Sequence, residues 1–588
     1  MNVVIFNCSN VRLSERYLAL ARDLDVMEAK TPDDVYKSHL IEGRPSALDS
    51  ASANIAATYV NAFVNAGFGH DKLVTVEVEE EGSEAGNSLH WIFRNKGNGK
   101  LAAAASLGMI FLWDIEGGLP QVDRYLYASD NLVVGGALLA FGIIASGVTD
   151  EVDPALAVLS EYVLNQDPSI KTGATWGLGI AYAGKAKHEL KRILLPGIGD
   201  SEVSIEQAAI SALSVSLSFM GTSEGGIVET ILQSLMLRGE VELDTIHGKI
   251  MSLALGLLFL GRQDAVEATI EVARTLPGKI SKYACSLLDM CAYAGTGNVL
   301  KVQEFLSICG EHIEVDDGDE GWQTAHQGIN ALAIGIVACG EELGSQMAHR
   351  ALEHVLQYGG SAARKGVPLA LAALNISNPD VAVIDTLGRL SHDADDQVAM
   401  SAVLSLGLVG AGTNNSRLAG LLRNLSMYYS KDSTMLFLVK ISQGLVHSGK
   451  GLVSLSPHMA SSGTILRTSL AGILITLTLS LDMKSSLAGQ MHYLLYSLVP
   501  AMRPRMLMTV DEDGAVLPVP VRVGQAVDVV AQAGKPKTVT GFQTHTTPVL
   551  LAEGERAELG TEKYLSMSPA LEGIVILRKN PDYIEMAE

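Results

Sequence analysis

The sequence predicts an all-α helical repeat solenoid followed by a small C-terminal β-rich domain. Three observations carry that prediction. Glycine-bearing apolar blocks return at a spacing near 37 residues, each is followed by a more polar amphipathic stretch, and from Met506 the helical pattern gives way to strand-like alternation.

The blocks are the clearest signal. GALLAFGIIASG ends at Gly147 and GATWGLGIAYAG at Gly184, both with Gly at positions 1, 7 and 12. Looser copies end at Gly221, Gly261, Gly295, Gly340, Gly412 and Gly449. The gaps between successive closing glycines are 37, 37, 40, 34, 45, 72 and 37 residues. The double gap hides GVPLALAALNIS, which starts at Gly366 and has lost its closing Gly. An earlier copy, AAAASLGMIFLW, surrounds Gly108. A fixed period of this length marks an array of two-helix units. In each unit the apolar block is hydrophobic nearly all round, so it is the inner, buried helix. The polar partner, such as DPALAVLSEYVLNQD at 153–167, places Ala155, Leu156, Leu159 and Val163 on one stripe and forms the outer helix. The closing Gly is expected just past the helix end, where positive φ is needed.

Composition agrees with this picture. The chain has 588 residues, too many for one ordinary core. Apolar residues make up 48% and charged residues only 18%, so the chain is folded. Fifty-eight glycines and only 5% aromatics describe a core of small side chains that lets backbones approach closely. A net charge of −22 argues against a nucleic-acid binder, which needs a basic face for phosphates. The five cysteines, Cys8, Cys285, Cys291, Cys309 and Cys339, form no CxxC pair and sit mostly in apolar runs, which fits core thiols in a reducing compartment. The stretches Leu132–Val148 and Thr468–Leu481 are too short or too rich in Gly to cross a bilayer, which takes roughly 20 apolar residues. No convincing signal peptide precedes them, so no membrane role is expected.

Several motifs resemble catalytic or ligand sites and fall short. GIAYAGKA at 179–186 and GLVHSGKG at 444–451 share the glycine and lysine spacing of a phosphate loop. That loop needs Ser or Thr after the Lys to bind magnesium, and these copies have Ala186 and Gly451. Both are read instead as a helix end, its closing Gly and a surface Lys. His392-Asp393-Ala394-Asp395 is read as an inter-helix turn with Asp caps. No nucleophile elbow, HExxH or paired-carboxylate motif appears, so no enzyme, cofactor or metal is expected. In the tail, VPVRVGQAVDVV, TVTGFQTHTTPVLL and GIVILRK read as strands, with turns at 534–537 and 552–555. That domain is expected beside the array, capping its last repeat. The resulting division is an N-terminal helical segment over 1–95, the repeat array over 96–485 and the C-terminal domain over 486–588.

The G-A-x₄-G-x₄-G blocks resemble proteasome/cyclosome repeats, which occur in the largest non-ATPase subunits of the proteasome regulatory particle and in the cyclosome. LAAAASLGMIFLWDIEGGL (101–119), CAYAGTGNVLKVQ (291–303), LSHDADDQV (390–398), GAGTNNSRLAGLLRNL (410–425) and the long string at 521–559 narrow the resemblance to the proteasomal members. Members usually carry a further N-terminal region before the part matched here, and often a long charged insertion, of which HIEVDDGDEGW (312–322) is the counterpart.

The resemblance implies that the solenoid closes into a toroid. It implies a non-catalytic scaffold in the base of the regulatory particle, in cytoplasm and nucleus. Its partners would be the proteasomal ATPase subunits, other regulatory-particle subunits, ubiquitin chains, UBL-domain shuttle receptors and a deubiquitinase. A generic helical-repeat adaptor, or a sister scaffold with the same repeats, is the alternative. In the family, ubiquitin and UBL domains dock on acidic outer helices, and the corresponding stretch here is GTSEGGIVETILQSLM (221–236). Gly226 and Leu237 depart from the family's acidic pattern and Gln233 is compatible with it. Glu224 and Glu229 are the acidic candidates beside Gln233. An ordinary solvated helix face would explain the same residues.

Overall fold

The computed structural model describes residues 10–37, 50–75, 87–313, 320–459, 464–527 and 538–583, apart from single positions 151, 201, 553 and 569. Cys8, the acidic run at 314–319 and the expected turn at 534–537 lie outside the described residues.

The apolar blocks are the inner helices of a closed ring. In chain order these are Asn98–Ile110, Asn131–Ile144, Pro168–Ala181, Ile205–Ser218, Ile246–Leu258, Ile280–Ala292, Ala325–Ala338, Ser361–Leu374, Asp396–Val409 and Ser433–Val446. Each packs on the next. The circle is completed by Ser50–Val64, which lies against both Ser433–Val446 and Asn98–Ile110. This eleventh helix falls in the stretch expected as an N-terminal segment, and it joins the ring because it is as apolar and small as the repeats it meets. Outer helices such as Pro154–Tyr162, Gly225–Leu237, Glu342–Tyr358 and Ser416–Tyr428 form the wall, burying one stripe each.

Small residues set the spacing of the inner helices. A methyl group at Gly142 would run into the Gly177 backbone, and one at Gly173 into the Gly135 carbonyl. The helix propensity lost at each Gly, about 1 kcal/mol, is offset by this close contact.

The closing turns do more than end their own helices. Gly147, Gly184, Gly221, Gly261, Gly295, Gly412 and Gly449 all have positive φ, between 54° and 74°. In the copies that lack the Gly, Trp113 (φ 69°) and Ser377 (φ 57°) hold the same position in the same conformation. The left-handed turn aims its N–H at the neighbouring repeat. Gly184 donates to Leu217 O at 3.0 Å, Gly221 to Leu257 O at 3.0 Å, Gly295 to Ile336 O at 2.9 Å and Ser377 to Leu408 O at 3.1 Å. At these repeats a carbonyl in the last turn of one inner helix, where the i+4 donors run out, accepts from the preceding repeat. Gly340 is the exception. Its φ is not positive, and Gly is favoured there because a methyl group would run into the Gly295 carbonyl.

The ring is not empty. The helix Arg467–Ser480 and the 3₁₀ helix His492–Ala501 pack against each other and against inner helices from several sides. Tyr496 Oη donates to Ala102 O at 2.8 Å and Tyr59 Oη to His492 O at 2.6 Å. This explains why Thr468–Leu481 is apolar all round: it is surrounded by the ring. Among the described residues no helix is long and apolar enough to cross a membrane.

From Arg503 the chain is β-rich. Val549–Leu550, Met506–Val510, Gly573–Lys579 and Tyr564–Ser566 form one sheet in that order. Thr538–Thr546, Pro520–Val527 and Glu555–Leu559 form a second, with Leu507, Val521, Val575 and Leu577 in the shared core. The domain does not cap a last repeat, because a closed ring has no end to cap. It is held instead by the N-terminal helix Leu13–Asp23, whose neighbour contact includes Arg16 to Gly514 O at 3.0 Å, and by Arg505 reaching Ser377 O at 3.3 Å.

Candidate docking face

The helix Gly225–Leu237 is a wall helix of the ring. Ile227, Val228, Ile231, Leu232, Ser234 and Leu235 are buried against the inner layer. Helical geometry then turns Glu229, Gln233, Met236 and Leu237 to solvent. Gln233 Nε2 donates to Glu229 Oε1 at 3.2 Å, one turn apart. Leu237 is 77% exposed, and Met236 and Val241 are exposed beside it. The face is therefore a short acidic and amide stretch running into an apolar patch.

Glu224 stands apart from the other two candidates. It occupies the N-cap position, and its carboxylate pairs with Lys191 of the preceding wall helix, His188–Leu194, at 2.5 Å. That hydrogen bond holds the Glu224 carboxyl below its ordinary range. Lys191 also lies over Gly226, so a larger residue there would meet its ammonium. The structure thus brings Glu229 and Gln233 together and gives Glu224 a role in joining two repeats. The residues that sequence reasoning missed are Met236 and Val241. Met236 had a signal: once 227, 228, 231, 232 and 235 are assigned to the core, the exposed stripe reaches it by period, whereas Val241 lies past the helix end on Glu240–Leu243, where that period does not run.

The remaining motifs resolve into structure. Asp395 is the N-cap of Asp396–Val409 and accepts from Gln397 N at 2.9 Å, while Asp393 accepts from Arg364 at 2.9 Å. The His392 ring packs edge-on to Tyr428. The lysines of the two phosphate-loop look-alikes are not free surface charges. Lys185 donates to Val148 O at 2.6 Å, so it serves the C-terminal end of the preceding repeat rather than its own helix. Lys450 donates to Val26 O at 3.1 Å and Met27 O at 3.0 Å, above the Phe68 ring. Burial lowers Lys185 to about 8 and Lys450 to about 7. Cys291, Cys309 and Cys339 are buried, with thiols pushed up to about 12 by desolvation. Among the described residues no group of His, Cys, Asp or Glu is arranged to hold a metal ion.

Comparison with known proteins bears on this architecture directly. Residues 530–583 match the family described as 26S proteasome non-ATPase regulatory subunit RPN1 C-terminal, residues 4–41 the RPN1 N-terminal domain, and residues 401–434 the proteasome/cyclosome repeat. The chain is 54% identical over 580 residues to the Arabidopsis thaliana 26S proteasome non-ATPase regulatory subunit 2 homolog A, covering 98% of this chain and 64% of that protein. It is 45% identical to the Dictyostelium discoideum 26S proteasome non-ATPase regulatory subunit 2, covering 98% of this chain and 62% of that one. It is 44% identical to the Schizosaccharomyces pombe 26S proteasome regulatory subunit rpn1, covering 98% and 64%. The chain spans a little under two thirds of the length of these relatives. With matches at both ends, in the repeats and along nearly its whole length, the chain belongs to the family of 26S proteasome non-ATPase regulatory subunit 2.

Proposed function

We propose that this chain is a non-catalytic scaffold of the proteasome regulatory particle base. It holds ubiquitin chains, UBL-domain shuttle receptors and a deubiquitinase beside the ATPase ring, in cytoplasm and nucleus. The observation that supports this most directly is the solvent face of Gly225–Leu237. Glu229 and Gln233 lead into exposed Met236 and Leu237 at the end of a wall helix, with exposed Val241 following on the short helix Glu240–Leu243. Ubiquitin-like folds present a small apolar patch ringed by basic residues, and an acidic face with exposed aliphatic side chains complements it. Glu224 contributes by setting the position of the helix through Lys191.

The mechanism is local concentration. A single contact of this size is weak, because one exposed patch of a few side chains falls well below the area of a stable interface. A polyubiquitin chain engaging several such faces on one closed ring gains avidity without any strong site. A rigid toroid suits the task, since its docking faces keep fixed mutual distances.

Two measurements test the proposal. The tagged chain is purified from its own cells, where ATPase and other regulatory-particle subunits should co-purify stoichiometrically. Ubiquitin is then titrated against the isolated chain, and Leu237→Ser combined with Glu229→Lys should weaken binding about tenfold. Purification alone, or unchanged ubiquitin affinity in the double variant, overturns the corresponding half of the reading.

A further inference from the structure

Among the described residues, the two sheets of the C-terminal domain have four edge strands: Val549–Leu550, Tyr564–Ser566, Glu555–Leu559 and Thr538–Thr546. Three of them are blunted. Val549–Leu550 spans only two residues. Tyr564–Ser566 spans three, and its Ser566 hydroxyl already accepts from Ser568 N at 3.1 Å and donates to Ser568 O at 2.6 Å. Glu555–Leu559 carries Glu555, Arg556 and Glu558 within five residues. Short length and charge are the usual guards against strand addition. Thr538–Thr546, TVTGFQTHT, has nine residues and no Asp, Glu, Lys, Arg or Pro. Residues 540–546 are all exposed. The register slips between Val523 and Gln525, where Gly541 has φ 61°, and beyond that point residues 543–546 pair regularly with 520–523.

The alternation of an antiparallel ladder fixes where this edge points. Thr547 N donates to Val519 O at 3.0 Å on one side of the central strand, and Gly560 N donates to Pro520 O at 2.8 Å on the other. Gln543 and His545 therefore turn their N–H and C=O inward, and Thr544 and Thr546 turn theirs away from the sheet. Among the described residues nothing bonds these outward groups. They form a row of donors and acceptors at strand spacing, which an extended chain matches.

The two faces beside the edge differ in character. Gln543 and His545 lie opposite the buried Val523 and Val521. With Leu24, Val549 and Leu550 they line a cleft of about 430 Å³, which Asp23 and Glu555 also border. Leu24, just past the helix Leu13–Asp23, is 40% exposed. On the outer face Phe542 is 51% exposed, and the Arg522 guanidinium lies 5.3 Å from its ring centre with no carboxylate partner among the described residues. An added strand puts alternate side chains on the two faces. Those entering the cleft meet aliphatic walls beside two carboxylates, which favours apolar groups and disfavours acids. Those on the outer face meet an unpaired guanidinium, which favours an acid.

We propose that Thr538–Thr546 accepts an extended segment of a partner protein as an added strand. The segment bonds to the outward groups of Thr544 and Thr546, sets apolar side chains into the cleft beside Leu24 and places a carboxylate against Arg522. The site lies on the C-terminal domain and stands independently of the proposed ubiquitin face.

The test uses the full chain and a labelled synthetic peptide of about ten residues, a long strand, in which Val alternates with Thr and Glu. Fluorescence anisotropy reads binding. Two further peptides keep every side chain and carry N-methyl groups, one at the Val residues and one at the Thr and Glu residues. Only one of these sets of amides faces the edge, so at least one methylated peptide should bind about tenfold more weakly. A fourth peptide with Lys in place of Glu should also bind more weakly. Thr544→Pro removes an outward N–H and no bond of the existing ladder, a position where edge strands tolerate Pro. It should keep the wild-type circular dichroism melt and weaken the peptide about tenfold, and Leu24→Ser should weaken it severalfold through the cleft. Hydrogen exchange of the Thr544 and Thr546 amides should slow when the peptide is bound. The proposal is overturned if the first peptide does not bind, if Thr544→Pro binds it equally, if neither methylated peptide is weakened, or if the Lys peptide binds as well. It is also overturned if sedimentation shows a dimer of the chain that Thr544→Pro returns to monomer, which would make a second copy the occupant of this edge.

Discussion

Lys249, on an inner helix of the ring, reaches Asp482, just past the central helix, with its Nζ 2.5 Å from the carboxylate. The lysine is buried and lies 4.1 Å above the Trp322 ring. A second lysine, Lys365 from another inner helix, stands 3.8 Å from the same carboxylate. One acid thus joins two distant repeats to the element that fills the ring.

The arrangement makes the two partners unequal. Removing Asp482 leaves two lysines facing each other in a largely buried site, whereas Lys249→Met keeps the packing on Trp322 and leaves Asp482 paired with Lys365. Asp482→Asn should therefore lower stability by about 3–5 kcal/mol, the usual loss when one side of a buried pair is removed. Lys249→Met should cost less. Urea unfolding of the two variants checks the order, and the reverse order would mean that Lys365 does not share the carboxylate.

The turn geometry gives a prediction of opposite sign at two small residues. Ala186 has φ 47° and donates its N–H to Ser218 O at 3.1 Å, in a conformation that suits Gly. The strain of about 1–2 kcal/mol for a non-Gly residue exceeds the extra unfolded-state entropy of Gly, so Ala186→Gly should be neutral or stabilising by about 0.5 kcal/mol. Gly142→Ala places a methyl group against the Gly177 backbone, and should destabilise by about 1–3 kcal/mol or more, as overpacking does. Thermal melts of both variants decide whether glycine is kept for φ at the turns and for contact inside the helices.

Lys185 and Lys450 predict a pH dependence. Burial lowers both, to about 8 and about 7, from an unfolded value of 10.5. Between those values and 10.5 the unfolded chain binds more protons than the folded one. Stability from these groups therefore rises as pH goes from about 7 toward 10.5, and the cost of holding them charged is fully present below 7. Replacing both with Met should flatten this rise. Denaturation midpoints at pH 7, 8 and 9 for wild type and the double variant test it, and an unchanged slope would show that the surrounding carbonyls keep the ammonium groups charged.

Much of the ring was legible in sequence, because one physical demand recurs. The αL turn selects Gly at seven closing positions, and the close helix contact selects Gly or Ala inside each block, so the period is visible without any alignment. Ring closure was not visible in the residues themselves. Ser50–Val64 ends in a closing turn of the same kind, with Gly67 at φ 78° donating to Met109 O at 2.9 Å, but the helix has no Gly inside it, and its place between the first and last repeats depends on the accumulated rotation of all the others. The filled centre was hidden for a similar reason. Thr468–Leu481 is apolar all round whether it is surrounded by protein or by lipid, and only the ring around it decides. In sequence Lys185 and Lys450 look like surface charges, because a lysine after a helix end usually is one. Their carbonyl partners come from a neighbouring repeat and from the N-terminal segment, 37 and over 420 residues away.

The two acids at the proposed ubiquitin face should separate under mutation. Glu224 is tied to Lys191, while Glu229 faces solvent beside Gln233 and leads to Leu237. Glu224→Ala removes a partly exposed ion pair, and should lower stability by no more than about 1 kcal/mol with ubiquitin affinity nearly unchanged. Glu229→Lys should leave the melting temperature within a degree or two, as for a surface substitution, yet weaken ubiquitin binding and make the remaining affinity less sensitive to salt. Leu237→Ser should weaken it further without changing the salt dependence, since it removes apolar contact and no charge. Titrations at low and physiological ionic strength distinguish the three. If Glu224→Ala proves the most damaging, recognition depends on how the two wall helices are held together, and the exposed stripe is an ordinary solvated face.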